Sequence, residues 1–282
     1  MKNLFIKLLK KFRLLKFVNI YGSATINSKK IVVPLLGGMG EENLSGYETW
    51  LTQVLIKLKP FSIENFVDVG INLGQTLIKA YTVFDDIVYV GFEPNLMCVN
   101  YANDLVNVNN FKNCTIIPAG ISDKTEVLKL NFYHGNKTDS TASIIEQFRP
   151  TQPIHHSMFV PVFNFSMLTH VLKKSNNAIL KIDVEGAELE VLAGLAEWIK
   201  ECQPIILIEV LPVYDKKNSF RLERQQKIEA LLHSLNYKIA RINKTTIHIN
   251  ELDEIGIHGN IVDSDYISYP AGIKESIYNI FR

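Results

Sequence analysis

The sequence predicts an α/β protein built on a doubly wound, mostly parallel sheet that ends in an antiparallel hairpin. Two stretches and one rhythm carry that reading. Phe66-Val67-Asp68-Val69 is an apolar run holding one acid; Gly70 and Gly74 follow, and then a helix-like segment through Phe84. Roughly twenty residues on, a second apolar run, Val88-Tyr89-Val90-Gly91-Phe92, ends in Glu93-Pro94. Apolar runs this continuous then keep alternating with helical segments, which suits strands covered on both faces.

Taken in order, Met1 to Phe17 alternates lysines with Leu and Phe and reads as a basic amphipathic helix. Such a helix either lies on an anionic membrane surface, through residues 1–17, or packs on the domain with its lysines in water. It holds no apolar block of signal-peptide length and nothing near the ~20 residues that span a bilayer. Residues 1–45 are accordingly set apart as an N-terminal helix and lead-in, and residues 46–282 as the main domain. Gly37 to Gly40 reads as a surface turn, without the Lys-Ser/Thr ending of a phosphate loop. A helix from about Gly46 to Leu58 stops before Pro60.

From there strands are expected near 65–69, 88–92 and 114–118, with helices near 74–84 and 95–109. Val127 to Tyr133 and Met158 to Phe163 read as extra extended pieces around a polar loop, His134 to Ser143. Ala178 to Asp183 is a fourth strand, Ala187 to Ile199 a helix, and Pro204 to Val210 a fifth strand. A helix over Ser219 to Ser234 leads to a hairpin of 237–243 and 245–250 turning at Asn243-Lys244 and closing the sheet. Only Asp265 to Pro270 reads as extended beyond that.

The chain has 282 residues and a net charge of +1. Residues 1–40 carry eight Lys/Arg and no acid, leaving 22 of the 30 basic residues against 29 acidic ones in the remainder. A folded domain with that negative balance is a poor nucleic-acid binder. Cys98, Cys114 and Cys202 are widely spaced and form no C-x-x-C pair, which points to a reducing, cytoplasmic setting.

The chemistry should gather where strands end. The turn at Gly70 tolerates backbone angles other residues avoid and lets a ligand lie against the main chain. Glu93, at the tip of the second strand, suits the two hydroxyls of a ribose. The spacing is not G-x-G-x-x-G, so the cofactor need not carry a pyrophosphate. At the tip of the fourth strand, Lys181 and Asp183 are two apart and share a face, with Glu185 just beyond. A charge there needs a partner, so a structural ion pair between Lys181 and a carboxylate is the competing explanation.

These motifs resemble one family. Asp-Val-Gly-x-Asn-x-Gly at 68–74, Phe-Glu-Pro-Asn at 92–95, Ala-Gly-Ile-Ser-Asp at 119–123, Lys-Ile-Asp-Val-Glu-Gly-Ala-Glu at 181–188 and Pro-Ile-Ile-Leu-Ile-Glu at 204–209 are similar, in order and spacing, to the FkbM family of S-adenosylmethionine-dependent methyltransferases. The resemblance covers roughly residues 45–270 and departs at Ile71, where the family more often has a small residue. It implies a class I methyltransferase (Rossmann-like) sheet. It implies S-adenosylmethionine contacts at Asp68, Gly70, Asn72 and Gly74, at Glu93 with Pro94, and at Ala119 and Gly120 beside adenine. It also places the Ser140–Ser143 loop over the site as a lid.

The implied activity is O-methylation of a hydroxyl on a saccharide or related metabolite, lipid-linked if the N-terminus does bind membrane. Asp183 is the first candidate base, with Glu185 and Glu209 next, and the three carboxylates could also hold Mg²⁺. His134, His155 and His156 sit in loops and read first as surface histidines. A nicotinamide-dependent oxidoreductase and a catalytically silent scaffold remain as alternatives. The missing third glycine counts against the first, and the acids at 68, 93 and 183 against the second.

Overall fold

A computed structural model describes residues 2–12, 14–136 and 138–282, with side chains for all of these except 2–5 and 7. Met1, Arg13 and those side chains, part of the predicted amphipathic segment, lie outside the described residues, as does Lys137 in the polar loop.

Helix α1 (Lys2–Lys11) precedes an antiparallel pair, β1 (Asn19–Ile26) and β2 (Lys29–Leu36). These two strands fall in the lead-in, where the sequence reading had placed none. The signal was Asn27-Ser28, both at positive φ (46° and 63°), which form the two-residue turn that matches strand twist. Next come α2 (Thr49–Leu58), β3 (Asn65–Val69), α3 (Gln75–Val83), β4 (Val88–Phe92), α4 (Leu96–Asn109) and β5 (Cys114–Ile117). Helix α4 starts where the Asn95 side chain accepts the Met97 N–H, a standard N-cap.

A short β6 (Gly120–Ile121), β7 (Glu126–Phe132) and β8 (His156–Phe163) form a separate three-stranded sheet, followed by α5 (Phe165–Leu168). The doubly wound rhythm resumes with β9 (Ala178–Ile182), α6 (Glu188–Gly194), α7 (Ala196–Cys202), β10 (Ile205–Glu209) and α8 (Ser219–Ser234). The single helix predicted over 187–199 is therefore two, parted at Leu195. The chain closes with β11 (Tyr237–Ile242), β12 (Ile249–Leu252), β13 (Asp265–Pro270) and α9 (Lys274–Phe281).

The main sheet has the order β12-β11-β13-β10-β9-β3-β4-β5. Strands β5, β4, β3, β9 and β10 run parallel, and β13 is antiparallel to both β10 and β11. This is the Rossmann-like sheet implied by the resemblance. One detail differs from expectation: the β11–β12 hairpin does not meet β10, because β13 is wedged between them. Tyr266, Ile267 and Tyr269 are fully buried, but Asp265 and Ser268 break the apolar run and weaken its signal in sequence. The hairpin loop is also longer than two residues, since the pairing Ile242↔Ile249 leaves 243–248 outside the strands.

Alternation along the strands divides the core into two layers. Phe66, Tyr89 and Ile179 pack with α2, α3 and α9, whereas Val67, Val69, Phe92 and Ile182 pack with α6, α7 and α8. Ile6, Leu9 and Leu15 of the N-terminal segment join the first layer. The three cysteines are free. No helix among the described residues is long and apolar enough to cross a membrane. Strand order reverses between β3 and β9, so their carboxyl ends open the crevice where ligands of such sheets gather.

Candidate active site

A cleft of about 630 Å³ opens at that reversal. One side is the β3–α3 turn. Gly70 has φ +93°, and a Cβ there would lie 1.9 Å from the Asp183 carbonyl oxygen, so only glycine lets β3 turn past the tip of β9. The Gly70 N–H donates to Phe92 O at 2.9 Å, tying the turn to β4. Ile71, the departure from the family pattern, is 2% exposed and lies over Gly91, whose missing side chain makes room for it. Asn72, at φ +49°, turns its N–H onto Glu93 Oε2 at 2.9 Å.

Glu93 accepts a second backbone bond, from Asn95 N–H to Oε1 at 2.8 Å. Its two oxygens keep further lone pairs for hydroxyl donors. Burial pushes its carboxyl up to about 7, against the pull of those two bonds.

Across the cleft, β9 and β10 deliver the acids. Lys181 is 4% exposed and donates to Asp183 Oδ2 at 3.1 Å, while Asp183 remains 39% exposed on the cleft. The ion pair posed as the competing explanation is therefore made, and the same carboxylate still faces the cavity. Burial opposes ionisation of Asp183, but the Lys181 ammonium and a hydrogen bond with Glu209 hold it below its ordinary value. Glu209 is pushed up to about 9 by burial and by Asp183 and Asp265 beside it. The two thus share one proton, held on Glu209 and hydrogen-bonded to an ionised Asp183.

Glu185, at φ +53°, is driven up to about 7 by burial and Asp183, against its ion pair with Arg149. Ligand oxygens of Asp183, Glu185 and Glu209 lie within 4.8 Å of one another. A hard cation takes such a set only when it is deprotonated. Beside that set, Lys181 on Asp183 and Lys244 on Asp265 at 2.5 Å already supply positive charge.

The wall nearest the small sheet is the polar loop. Asp139 accepts the Tyr133 and His134 N–H groups at 2.7 and 2.8 Å and the Thr141 hydroxyl at 2.7 Å. Although burial opposes it, these bonds hold the Asp139 carboxyl down at about 2. Ser140, Thr141 and Ala142 line the cleft, and Ser143 Oγ donates to the Glu185 carbonyl at 2.7 Å, pinning the loop to the tip of β9.

Of the residues named from sequence, Gly70, Asn72, Glu93, Pro94, Gly120, Asp183, Glu185 and Glu209 meet on this one cleft. Asp68, Gly74 and Ala119 do not line it. Asp68 is 1% exposed beneath the turn, bonded to the Tyr89 hydroxyl, and burial drives it up to about 7. Gly74 caps α3 at φ +74°, and Ala119 is buried behind the β5–β6 turn. None of the three loop histidines lines the cleft: His134 bonds Asp139, and His156 stacks on Phe132 and against His155. The sequence reading missed Tyr47, Arg149, Tyr214 and Arg221, which complete the lining from loops and the start of α8. None falls in a motif, so no local signal marked them.

The sequence profile described as Methyltransferase FkbM domain matches residues 68–239. No curated protein matches the chain. Solved structures similar to it include an FkbM methyltransferase from Methylobacillus flagellatus KT, at 16% identity and a TM-score of 0.46, covering 73% of this chain. This chain spans only 44% of that protein. Precorrin-6y C5,15-methyltransferase from Geobacter metallireducens GS-15 is 12% identical, covers 79% of this chain and 87% of its own, and has a TM-score of 0.39. The plantazolicin methyltransferase BpumL in complex with SAH is 10% identical, covers 81% and 87%, and has a TM-score of 0.41.

Proposed function

The chain belongs to the FkbM methyltransferase family, and from that premise we propose that it uses S-adenosylmethionine to methylate a hydroxyl on a saccharide or related metabolite. One observation carries the reading: a cradle of glycine turn and Glu93 carboxylate and, opposite it, the Asp183 carboxylate line a single cleft. The cradle is the Gly70 turn, where a Cβ would collide with Asp183 O, and Glu93, whose buried carboxylate suits a ribose diol. Gly120 and Ile121, past β5, offer the flat side for a base ring. When bound, the cofactor supplies an electrophilic methyl on a positively charged sulfur.

The protein supplies position and a base. An alcohol is about as weakly acidic as water, pKa roughly 15.7, so its proton must leave as the new O–C bond forms. Asp183 is ionised and open to the cleft, and accepts that proton. Lys181 keeps Asp183 ionised beforehand, and the proton held on Glu209 orients the pair by hydrogen bonding. Holding hydroxyl, base and methyl in line recovers entropy that free reactants would lose. Tyr47 and Tyr214, 58% and 56% exposed on the cleft, offer aromatic faces, and Glu42, Glu48, Arg149 and Arg221 offer hydrogen bonds. That mixture of flat apolar faces and polar groups fits a polyol ring.

Calorimetry with S-adenosylmethionine and with NAD tests the cofactor. Binding of the first alone supports the reading, and binding of NAD alone transfers the site to hydride chemistry. A screen of saccharide acceptors with radiolabelled cofactor, comparing wild type with Asp183→Ala, then tests the reaction. Label transferred equally by both proteins removes Asp183 from it.

A further inference from the structure

The N-terminal segment carries a feature that the methyl-transfer reading leaves unused. Ile6, Leu9 and Leu15 face inward, and Ile6 lies over Gly22 of β1. The outward side of the same segment holds Leu8, Phe12, Leu14 and Phe17, at 52%, 60%, 43% and 73% exposure, and Tyr21 at 52% continues it onto β1. Lys10, Lys11 and Lys16 are exposed among them. A helix that merely packs on the domain explains the buried side chains and the lysines. It does not explain four large apolar groups in water between residues 8 and 17. Single exposed apolar side chains are ordinary, but a run of them rimmed by cations marks a contact surface.

The charge identifies the partner. Residues 1–40 hold eight Lys/Arg and no acid in a chain whose remainder is net negative. Lys16 lies 4.9 Å over the Phe17 ring, so a cation and an aromatic group are presented together. We propose that residues 8–17 are a peripheral docking patch for an anionic bilayer surface. Leu8, Phe12, Leu14 and Phe17 enter the boundary between headgroups and acyl chains, and Lys11 and Lys16 meet the anionic headgroups. Lys10 pairs with Glu41, the chain neighbour of Glu42 on the cleft lining. Docking therefore brings the mouth of the cleft beside the bilayer.

The test is sedimentation of the full chain with vesicles of phosphatidylcholine alone and of phosphatidylcholine with phosphatidylglycerol, at low and high salt. Binding to the anionic vesicles alone, weakened by salt, is expected. Lys11→Ala/Lys16→Ala should lower partitioning roughly 25-fold, about fivefold per lysine, and Phe12→Ser/Phe17→Ser roughly tenfold or more. All four side chains are exposed, so unchanged thermal melting is the control for folding. No sedimentation with anionic vesicles, equal binding to neutral ones, or binding unaffected by either double variant overturns the proposal. So does a concentration-dependent dimer that Phe12→Ser/Phe17→Ser abolishes, which would make the patch an interface between copies. Binding to an oligonucleotide that outcompetes the vesicles equally refutes it. None of these readouts depends on methyl transfer.

Discussion

Glu93→Gln separates the support of the fold from the recognition of the cofactor. In the wild type each carboxylate oxygen accepts one backbone N–H, from Asn72 at 2.9 Å and Asn95 at 2.8 Å. Glutamine keeps the shape but offers one oxygen and one NH₂, so one of those N–H groups must face a donor. A lost charge-assisted bond of this kind costs on the order of 1–3 kcal/mol. Opposing it, the substitution removes a buried charge. The rise of the Glu93 carboxyl from 4.5 to about 7 corresponds to about 3 kcal/mol at pH 8. Because that rise is already net of the two backbone bonds, the loss of charge sets the sign, and the variant should melt no lower than wild type at pH 8. The ribose diol, however, loses its charged acceptor. Two hydroxyl bonds weakened by about 1–2 kcal/mol each lower affinity roughly 30- to 1,000-fold. Calorimetric melting and titration with S-adenosylmethionine read the two quantities separately. Cofactor affinity within about threefold of wild type would refute the assignment of Glu93 to the ribose. Melting and affinity collapsing together would show that its main task is to hold the turn.

Three other expectations follow from the same geometry. Asp183→Asn should lower turnover by about 10²–10⁴-fold while S-adenosylmethionine still binds in calorimetry; a small loss of turnover would exclude Asp183 as the base. Gly70→Ala should abolish cofactor binding and lower the melting temperature, because its Cβ would sit 1.9 Å from Asp183 O at φ +93°; wild-type titration and melting would contradict the close approach. The ligand-free protein should lose stability as pH rises. Glu93, Glu185 and Glu188 are raised from 4.5 to about 7, and Asp68 from 3.8 to about 7, all by burial. Between their unfolded and folded values the folded chain binds more protons than the unfolded one, so their contribution is intact below about 4 and is lost through 7. Denaturant titrations at pH 5, 6, 7 and 8 check the sign, and midpoints that rise across this range would contradict it.

The sequence spoke most clearly where backbone constraint and chemistry coincide. The Gly70 turn, Glu93 at the end of β4 and Asp183 beyond β9 were all legible because a parallel strand needs an apolar run, a turn needs its glycine and a ligand needs an acid at the tip. The β1–β2 pair was missed because its evidence was Asn27-Ser28 within a weakly alternating stretch; β13 was read as extended over Asp265–Pro270, but its place between β10 and β11 was not, because a strand's own residues do not name its neighbours. Arg149, Tyr214 and Tyr47 stayed hidden for another reason. Their place on the cleft depends on how loops from distant parts of the chain fold back over the sheet, and no spacing rule encodes that. Asp68 carried the right motif but the wrong depth. The residue one step before a strand end points into the layer beneath, where Tyr89 holds it.

The wedge of β13 between β10 and β11 has a bearing on how the protein comes into being. Glu209 stands directly across from Asp265 in that pairing, and Lys244, from the intervening hairpin loop, clamps Asp265. A nascent polypeptide released as far as β12 therefore has an open seam in the middle of its sheet, and Glu209 there lacks the neighbour that helps to hold its proton. Zipping that seam joins Ile206 to Ser268, a non-local pairing whose loop-closure entropy must be met before its contacts form.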